Sequence, residues 1–124
     1  KSETLIIGNG DVQDLADAQE KIKATGADGV MIGRGIFGNP WLFDKKTDYA
    51  KMSVAEKLRV MVEHTYLFEK ILVEHKNFAI MKKHYKAYVN GFDGAKELRV
   101  KLMEGANTAS DVERIVADFL KNLN

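Results

Sequence analysis

The chain has 124 residues, 45% of them hydrophobic and 30% charged, with a formal net charge of +1; this is the profile of one folded domain or two small ones, and it excludes a disordered tail. It contains no cysteine, which excludes disulfides, thiolate metal sites and a thiol nucleophile within these residues. No apolar stretch reaches the roughly 18 residues needed to cross a bilayer and no secretory signal opens the chain, so the expectation is a cytoplasmic protein with no membrane partner.

At the N-terminus Lys1-Ser2-Glu3 leads into an apolar run, Thr4 to Ile7, that reads as a β-strand and ends in Gly8-Asn9-Gly10-Asp11. From Val12 to Thr25 the residues Leu15, Ala18 and Ile22 recur at spacings of three and four. That period predicts a helix, with Asp11 as its N-cap and Gly26 as its C-terminal stop. Val30 to Ile32 is a second apolar run, and it too enters glycines, Gly33-Arg34-Gly35. Strand, helix, strand makes a right-handed βαβ crossover with adjacent parallel strands. After Gly35 a short helix is expected to carry Ile36, Phe37, Trp41, Leu42 and Phe43, with Pro40 in its first turn.

Parallel sheets are covered on both faces and need more than two strands. The chain is therefore expected to be the C-terminal part of a larger α/β protein, and its exposed strand edges are expected to support self-association.

From Lys46 the pattern is helical only. Ser53 and Glu56 form a capping box before Val54, Leu58, Met61, Thr65, Phe68 and Leu72, whose spacing predicts one buried stripe. A second helix, about Glu74 to Val89, should bury Phe78, Met81, Tyr85 and Tyr88. Asp93, in the turn Asn90-Gly91-Phe92-Asp93-Gly94, is the expected N-cap of a third helix using Ala95, Leu98 and Leu102. Ser110 with Glu113 should cap a fourth, burying Val112, Ile115, Val116, Phe119 and Leu120. The four tyrosines read as bundle core. Four amphipathic helices joined by short turns predict a small antiparallel bundle.

Three features bear on function. The two glycine-rich strand ends place free backbone N–H groups side by side, an arrangement suited to phosphate. Gly33 to Gly38 satisfies G-x-G-x-x-G, but the acidic strand end that a dinucleotide-binding fold requires about 20 residues on is missing. The phosphate corner of a (β/α)₈ barrel fits better, with Gly10 and Gly35 admitting the phosphate and Arg34 adding a charge; glycines that serve only tight turns are the plainer alternative. Next, charge is sorted along the chain: residues 76 to 101 carry seven basic and two acidic side chains, against five and seven in residues 1 to 45. Lys82, Lys83 and Lys86, with Lys96, Arg99 and Lys101, make a basic stripe suited to a polyanion, although most such helix faces are simply solvated. Finally, His64, His75 and His84 lack metal-ligand spacing; His84 reads as a structural or RNA-facing residue, and no metal is expected.

These residues carry a resemblance. Ile7-Gly8-Asn9-Gly10-Asp11, Gly26 to Gly35 and Gly38-Asn39-Pro40-Trp41-Leu42-Phe43 resemble the end of the flavin barrel of bacterial tRNA-dihydrouridine synthases. Met81 to Tyr88 and Gly91 to Arg99 resemble the tRNA-facing helical domain of the same family. The resemblance implies residues 1–47 as the last two βα units of an FMN-binding (TIM) barrel and residues 48–124 as a helical tRNA-binding domain. It implies Asn9, Gly10, Asp11, Gly33 and Arg34 at the FMN phosphate, and Lys83, His84 and Arg99 as tRNA contacts, to which the basic helix face adds Lys82 and Lys86 as expected RNA-binding residues. NADPH would reduce the flavin, which reduces a tRNA uridine while a cysteine supplies the proton. That cysteine lies upstream in the family, so no catalytic residue is expected here and the chain alone should be inactive. Two other readings stay open: part of another FMN or phosphate-binding barrel oxidoreductase acting on a small molecule, and a non-enzymatic RNA-binding helical module.

Overall fold

A computed structural model describes Glu3–Leu123; Lys1 and Ser2, read above as the lead-in to the first strand, lie outside the described residues. The chain divides into two units, one ending at Tyr49 and the other beginning at Ala50.

In the first unit, β1 (Ile7–Asn9) and β2 (Gly29–Met31) pair in parallel, with Ile7 opposite Gly29, Gly8 opposite Val30 and Asn9 opposite Met31. The entry to β1 is pinned by Asp28, whose carboxylate accepts from the Ile6 N–H at 2.8 Å while its own N–H donates to the Ile6 carbonyl at 2.9 Å. Pairing thus begins later than the apolar run Thr4 to Ile7 suggests. Leu5, Ile6, Ile7 and Met31 all remain exposed, Leu5 by 74%.

The crossover helix α1 spans Leu15–Thr25. Its N-cap is Asp14, in extended conformation, which accepts from the Asp17 N–H at 2.8 Å. The expected cap, Asp11, cannot serve: its φ is 47°, whereas an N-cap needs extended backbone. Gly26 ends the helix as expected, with φ 72° and its N–H on the Ile22 carbonyl.

Beyond β2 the expected short α-helix is replaced by a 3-10 turn, Arg34–Ile36, and then a run of turns. Phe37 is extended and Gly38 has φ 76°, which breaks any continuous helix before Pro40. Successive i to i+3 bonds, Asn39 N–H to Ile36, Leu42 N–H to Asn39 and Asp44 N–H to Trp41, carry the chain onward. Tyr49 closes this segment, its ring 5.9 Å from that of Trp41 and its hydroxyl donating to the Gly38 carbonyl at 3.1 Å. A second 3-10 turn covers Tyr49–Lys51.

The second unit has four helices: α2 (Val54–Leu72), α3 (Ala79–Tyr88), α4 (Ala95–Gly105) and α5 (Ala109–Lys121). α2 packs on α3 and α5, and α4 packs on the same two. Leu58, Met61, Phe68, Met81, Tyr85, Tyr88, Leu98, Leu102, Val112, Ile115 and Val116 form one buried cluster, with Phe78, Phe119 and Leu120 half-buried against it. The buried Thr65 hydroxyl donates to the Met61 carbonyl at 2.9 Å and lies 3.1 Å from the Tyr85 hydroxyl. Burial pushes the Tyr85 phenol up to about 12.

The Ser53–Glu56 capping box forms as expected. Four expectations are corrected. Residues 73–77 turn instead of starting α3, with the His75 and Lys76 N–H groups on the Leu72 carbonyl and the Asn77 side chain accepting from the Ala79 N–H. Asp93 does not cap α4: Gly94 precedes it at φ 83° without a side-chain cap, and a Cβ there would sit 2.9 Å from the Phe119 ring. α5 is capped by Thr108 with Asp111, not by Ser110 with Glu113. Tyr49 and Tyr66 are not bundle core: Tyr49 belongs to the first unit, against Trp41, and Tyr66 is 41% exposed and donates its hydroxyl to Glu113.

Candidate phosphate site and basic groove

Both βα loops of the first unit bend sharply where their strands end. After β1 the chain passes through two consecutive positive φ values, Gly10 at 150° and Asp11 at 47°. After β2, Gly33 leads into the 3-10 turn, whose first N–H groups have no acceptor within the turn. The two loops enclose an open cavity of about 770 Å3, lined by Asn9, Gly10, Asp11, Val12, Gln13, Gly33, Arg34 and Gly35. All five residues singled out for a cofactor phosphate, Asn9, Gly10, Asp11, Gly33 and Arg34, therefore line one cavity.

The glycines differ in what they do. A Cβ built on Gly10 or Gly33 would meet nothing within 4 Å, so these positions border open space. A Cβ on Gly35 would lie 2.7 Å from the Val12 carbonyl oxygen and 2.8 Å from that of Gln13. Gly35 thus lets one loop pack against the other, which is a different service from the direct approach to a phosphate that its position in the sequence suggests.

The Arg34 guanidinium donates to the Asp11 carboxylate across the cavity. Both side chains are largely exposed, at 81% and 74%, so water screens the pair and Arg34 can exchange one anion for another at small cost.

The loop after β1 has a support that sequence reasoning missed. Lys21, on α1, donates to the Asp11 carbonyl at 2.9 Å, the Gly10 carbonyl at 3.3 Å and the Asp17 carboxylate at 3.0 Å. Asp17 in turn accepts from the Gln13 N–H at 2.9 Å, and these bonds hold its carboxyl below the usual carboxylate range, the Gln13 contact most strongly. The i, i+4 spacing of Asp17 and Lys21 was legible, but its aim at the loop carbonyls depends on how α1 packs.

In the second unit Lys82, Lys83, Lys86 and Arg99 share a groove between α3 and α4, of about 530 Å3, with Tyr85, Lys96, Val100, Met103 and Glu104. Lys82 donates to the Met103 carbonyl at 2.8 Å and Arg99 to the Val89 carbonyl at 2.7 Å. Each satisfies a carbonyl at a helix C-terminus, where a cation also suits the helix dipole. His84 is not in the groove. Its ring lies 5.1 Å from that of His64 on α2, and His64 Nδ1 is 3.0 Å from the Tyr88 hydroxyl. Burial lowers the pKa of both histidines, with the charge of His84 adding to the effect on His64.

Among the described residues no group of three or more His, Asp or Glu could hold a metal ion, and no helix is long and apolar enough to cross a membrane.

Parallel strands joined by a helix, a glycine-lined cavity at their carboxyl ends and a basic groove on a helical unit define a mixed α/β protein with two anion-compatible surfaces. A family model described as dihydrouridine synthase matches residues 1–124, and the chain belongs to that family. It is 34% identical over 123 residues to a probable tRNA-dihydrouridine synthase of Rickettsia conorii, covering 92% of this chain and 36% of that protein. To a protein of the same description from Staphylococcus epidermidis it is 41% identical over 111 residues, covering 89% and 32%, and to one from Staphylococcus aureus 39% identical over 112 residues, again 89% and 32%. The chain spans about a third of the length of these curated relatives.

Proposed function

We propose that this chain is the part of a tRNA-dihydrouridine synthase that grips the phosphate of FMN and holds tRNA, in a protein of the cytoplasm where tRNA is found. On this reading residues 1–47 are the last two βα units of a (β/α)₈ barrel and residues 48–124 an antiparallel four-helix bundle that faces tRNA. The observation that supports it most is the convergence of Asn9, Gly10, Asp11, Gly33 and Arg34 on one cavity, in a chain of this family.

The residues fit the phosphate end of the cofactor. Gly10 and Gly33 border space that a side chain would fill, the turn at Arg34–Ile36 starts without a side-chain cap, and Arg34 adds a planar donor matched to phosphate oxygens. Asp11 and a phosphate compete for that guanidinium. When bound, FMN would supply the hydride that saturates a tRNA uridine, with NADPH as the source of electrons. These residues orient and retain the cofactor; with no cysteine in the chain, none of them supplies the proton that the family takes from that side chain.

The test is the 31P resonance of FMN titrated with the 124-residue chain, alongside a turnover assay with tRNA and NADPH. A shifted resonance that Arg34→Ala weakens by about tenfold in affinity, without turnover, is expected. An FMN resonance that never moves at millimolar chain, or uridine reduction by these residues alone, overturns the proposal.

A further inference from the structure

The groove between α3 and α4 is more than a basic stripe. Lys82 ties α3 to the end of α4 through the Met103 carbonyl, and Arg99 ties α4 to the end of α3 through the Val89 carbonyl. Two of the five cations are therefore straps that hold the groove open at its two ends. Lys83, Lys86 and Lys96 are exposed on the rim, and among the described residues none of the three makes an ion pair. Only one carboxylate, Glu104, joins them. Between the cations the floor is apolar: Val100 and Met103 are 46% and 52% exposed.

A helical polyanion lying across the rim would use the lysines and leave that floor wet. An acid with no apolar body would do the same. The groove instead suits a ligand whose anionic groups flank an apolar face, and a methionine adapts to a flat face of varied shape. In RNA that combination belongs to an unpaired nucleotide, whose base and ribose become accessible once it leaves the stack while its phosphates stay on either side.

We propose that the α3–α4 groove seats one unstacked nucleoside of RNA, its base or ribose on Val100 and Met103 and its flanking phosphates on Lys83, Lys86 and Lys96. This rests on the reading of the helical unit as an RNA-holding surface, and it adds that the surface takes a single-stranded or bulged position in addition to backbone phosphates. Lys82 and Arg99 are positioning residues for the groove.

The test is fluorescence anisotropy of the 124-residue chain with a labelled single-stranded hexanucleotide, the same oligomer made abasic at its central positions, and tRNA, over a salt series. The intact oligomer should bind about fivefold tighter than the abasic one, and Val100→Ser with Met103→Ser should remove that difference without altering the salt slope. Lys83→Ala with Lys86→Ala should instead flatten the slope of log affinity against log salt by about 0.7 per lost contact. Val100 and Met103 are exposed, so the serine variants should keep the wild-type melting curve. Equal binding of intact and abasic oligomers, with salt-dependent tRNA binding preserved, overturns the nucleoside seat and leaves the RNA reading standing. Absence of salt-dependent binding to any RNA overturns both, and equal affinity for polyglutamate of matched charge shows that the groove takes acidic protein instead.

Discussion

At the scale of single residues, the two glycines of Gly33-Arg34-Gly35 have opposite sensitivities. Gly35→Ala forces a Cβ to within 2.8 Å of two backbone carbonyl oxygens, neither of which can move without shifting its loop. It should cost the first unit about 1–3 kcal/mol, read as a lower melting temperature. Gly33→Ala meets nothing within 4 Å, but its backbone at φ −98° and ψ −98° lies outside the regions that a side chain favours, so it should cost less stability than Gly35→Ala while weakening binding of the proposed phosphate. Equal effects of the two on stability would sink this assignment. The histidine pair gives a pH signature. Burial sets both rings below 6.5 in the folded chain, so the unfolded chain binds protons first as pH falls below that value. Stability is therefore complete above about pH 6.5 and declines as pH drops toward the folded values. Hydrogen bonds hold the carboxyls of Asp17, Asp44, Glu56 and Asp111 below the usual carboxylate range, so they titrate below this window. Melting curves at pH 7.5 and 5.5 should differ more for the wild type than for His64→Gln; an equal difference would remove the histidines as the cause.

At the scale of elements, the helix starts show where sequence reading succeeds and where it slips. Thr108-Ala109-Ser110-Asp111-Val112-Glu113 contains two overlapping capping boxes, three residues apart in the same way. Glu69, on α2, decides between them by accepting the Ala109 N–H at 2.7 Å, while Asp111 accepts from the N–H groups of Asn107 and Thr108. A contact 40 residues away in sequence has no local signature. Thr108→Ala should therefore cost about 1 kcal/mol and Ser110→Ala almost nothing, measured by chemical denaturation; the reverse order would show that the box at Ser110 forms in solution. The same logic explains Asp11 and Asp14: both are acceptable caps by type, and only the left-handed backbone at Asp11 assigns the role to Asp14. Periodicity identified the stripes of α2, α4 and α5 because burial repeats with the helical turn, except that Leu72, expected in the buried stripe, is 37% exposed at the end of α2. Periodicity ran α3 too far upstream because residues 73–77 keep helix-compatible types while Asn77 starts a new turn. At the candidate sites, residue types and glycine spacing picked out residues that line one cavity, for which a phosphate is the proposed ligand, whereas the Lys21 support and the strapping by Lys82 and Arg99 are tertiary contacts.

At the scale of the whole molecule, the sheet is the feature out of balance with the rest. The helical unit buries a continuous core, yet β1 and β2 form a two-stranded parallel sheet with Leu5, Ile6, Ile7 and Met31 exposed. Apolar side chains in that density, on a sheet that has only two strands among the described residues, favour pairing with another strand. As a proposal for the chain as it stands, copies should associate through this sheet at high concentration. Sedimentation velocity over a concentration series should show a monomer giving way to larger species. Ile7→Lys and Met31→Lys each place a charge on the exposed apolar strands without disturbing a buried side chain, so either should shift the transition to higher concentration by about tenfold. The α2–α5 surface is unaffected by these changes, which separates association through the sheet from association through the helices. A strict monomer at every concentration, or lysine variants that associate as the wild type does, would place the contact elsewhere or remove it.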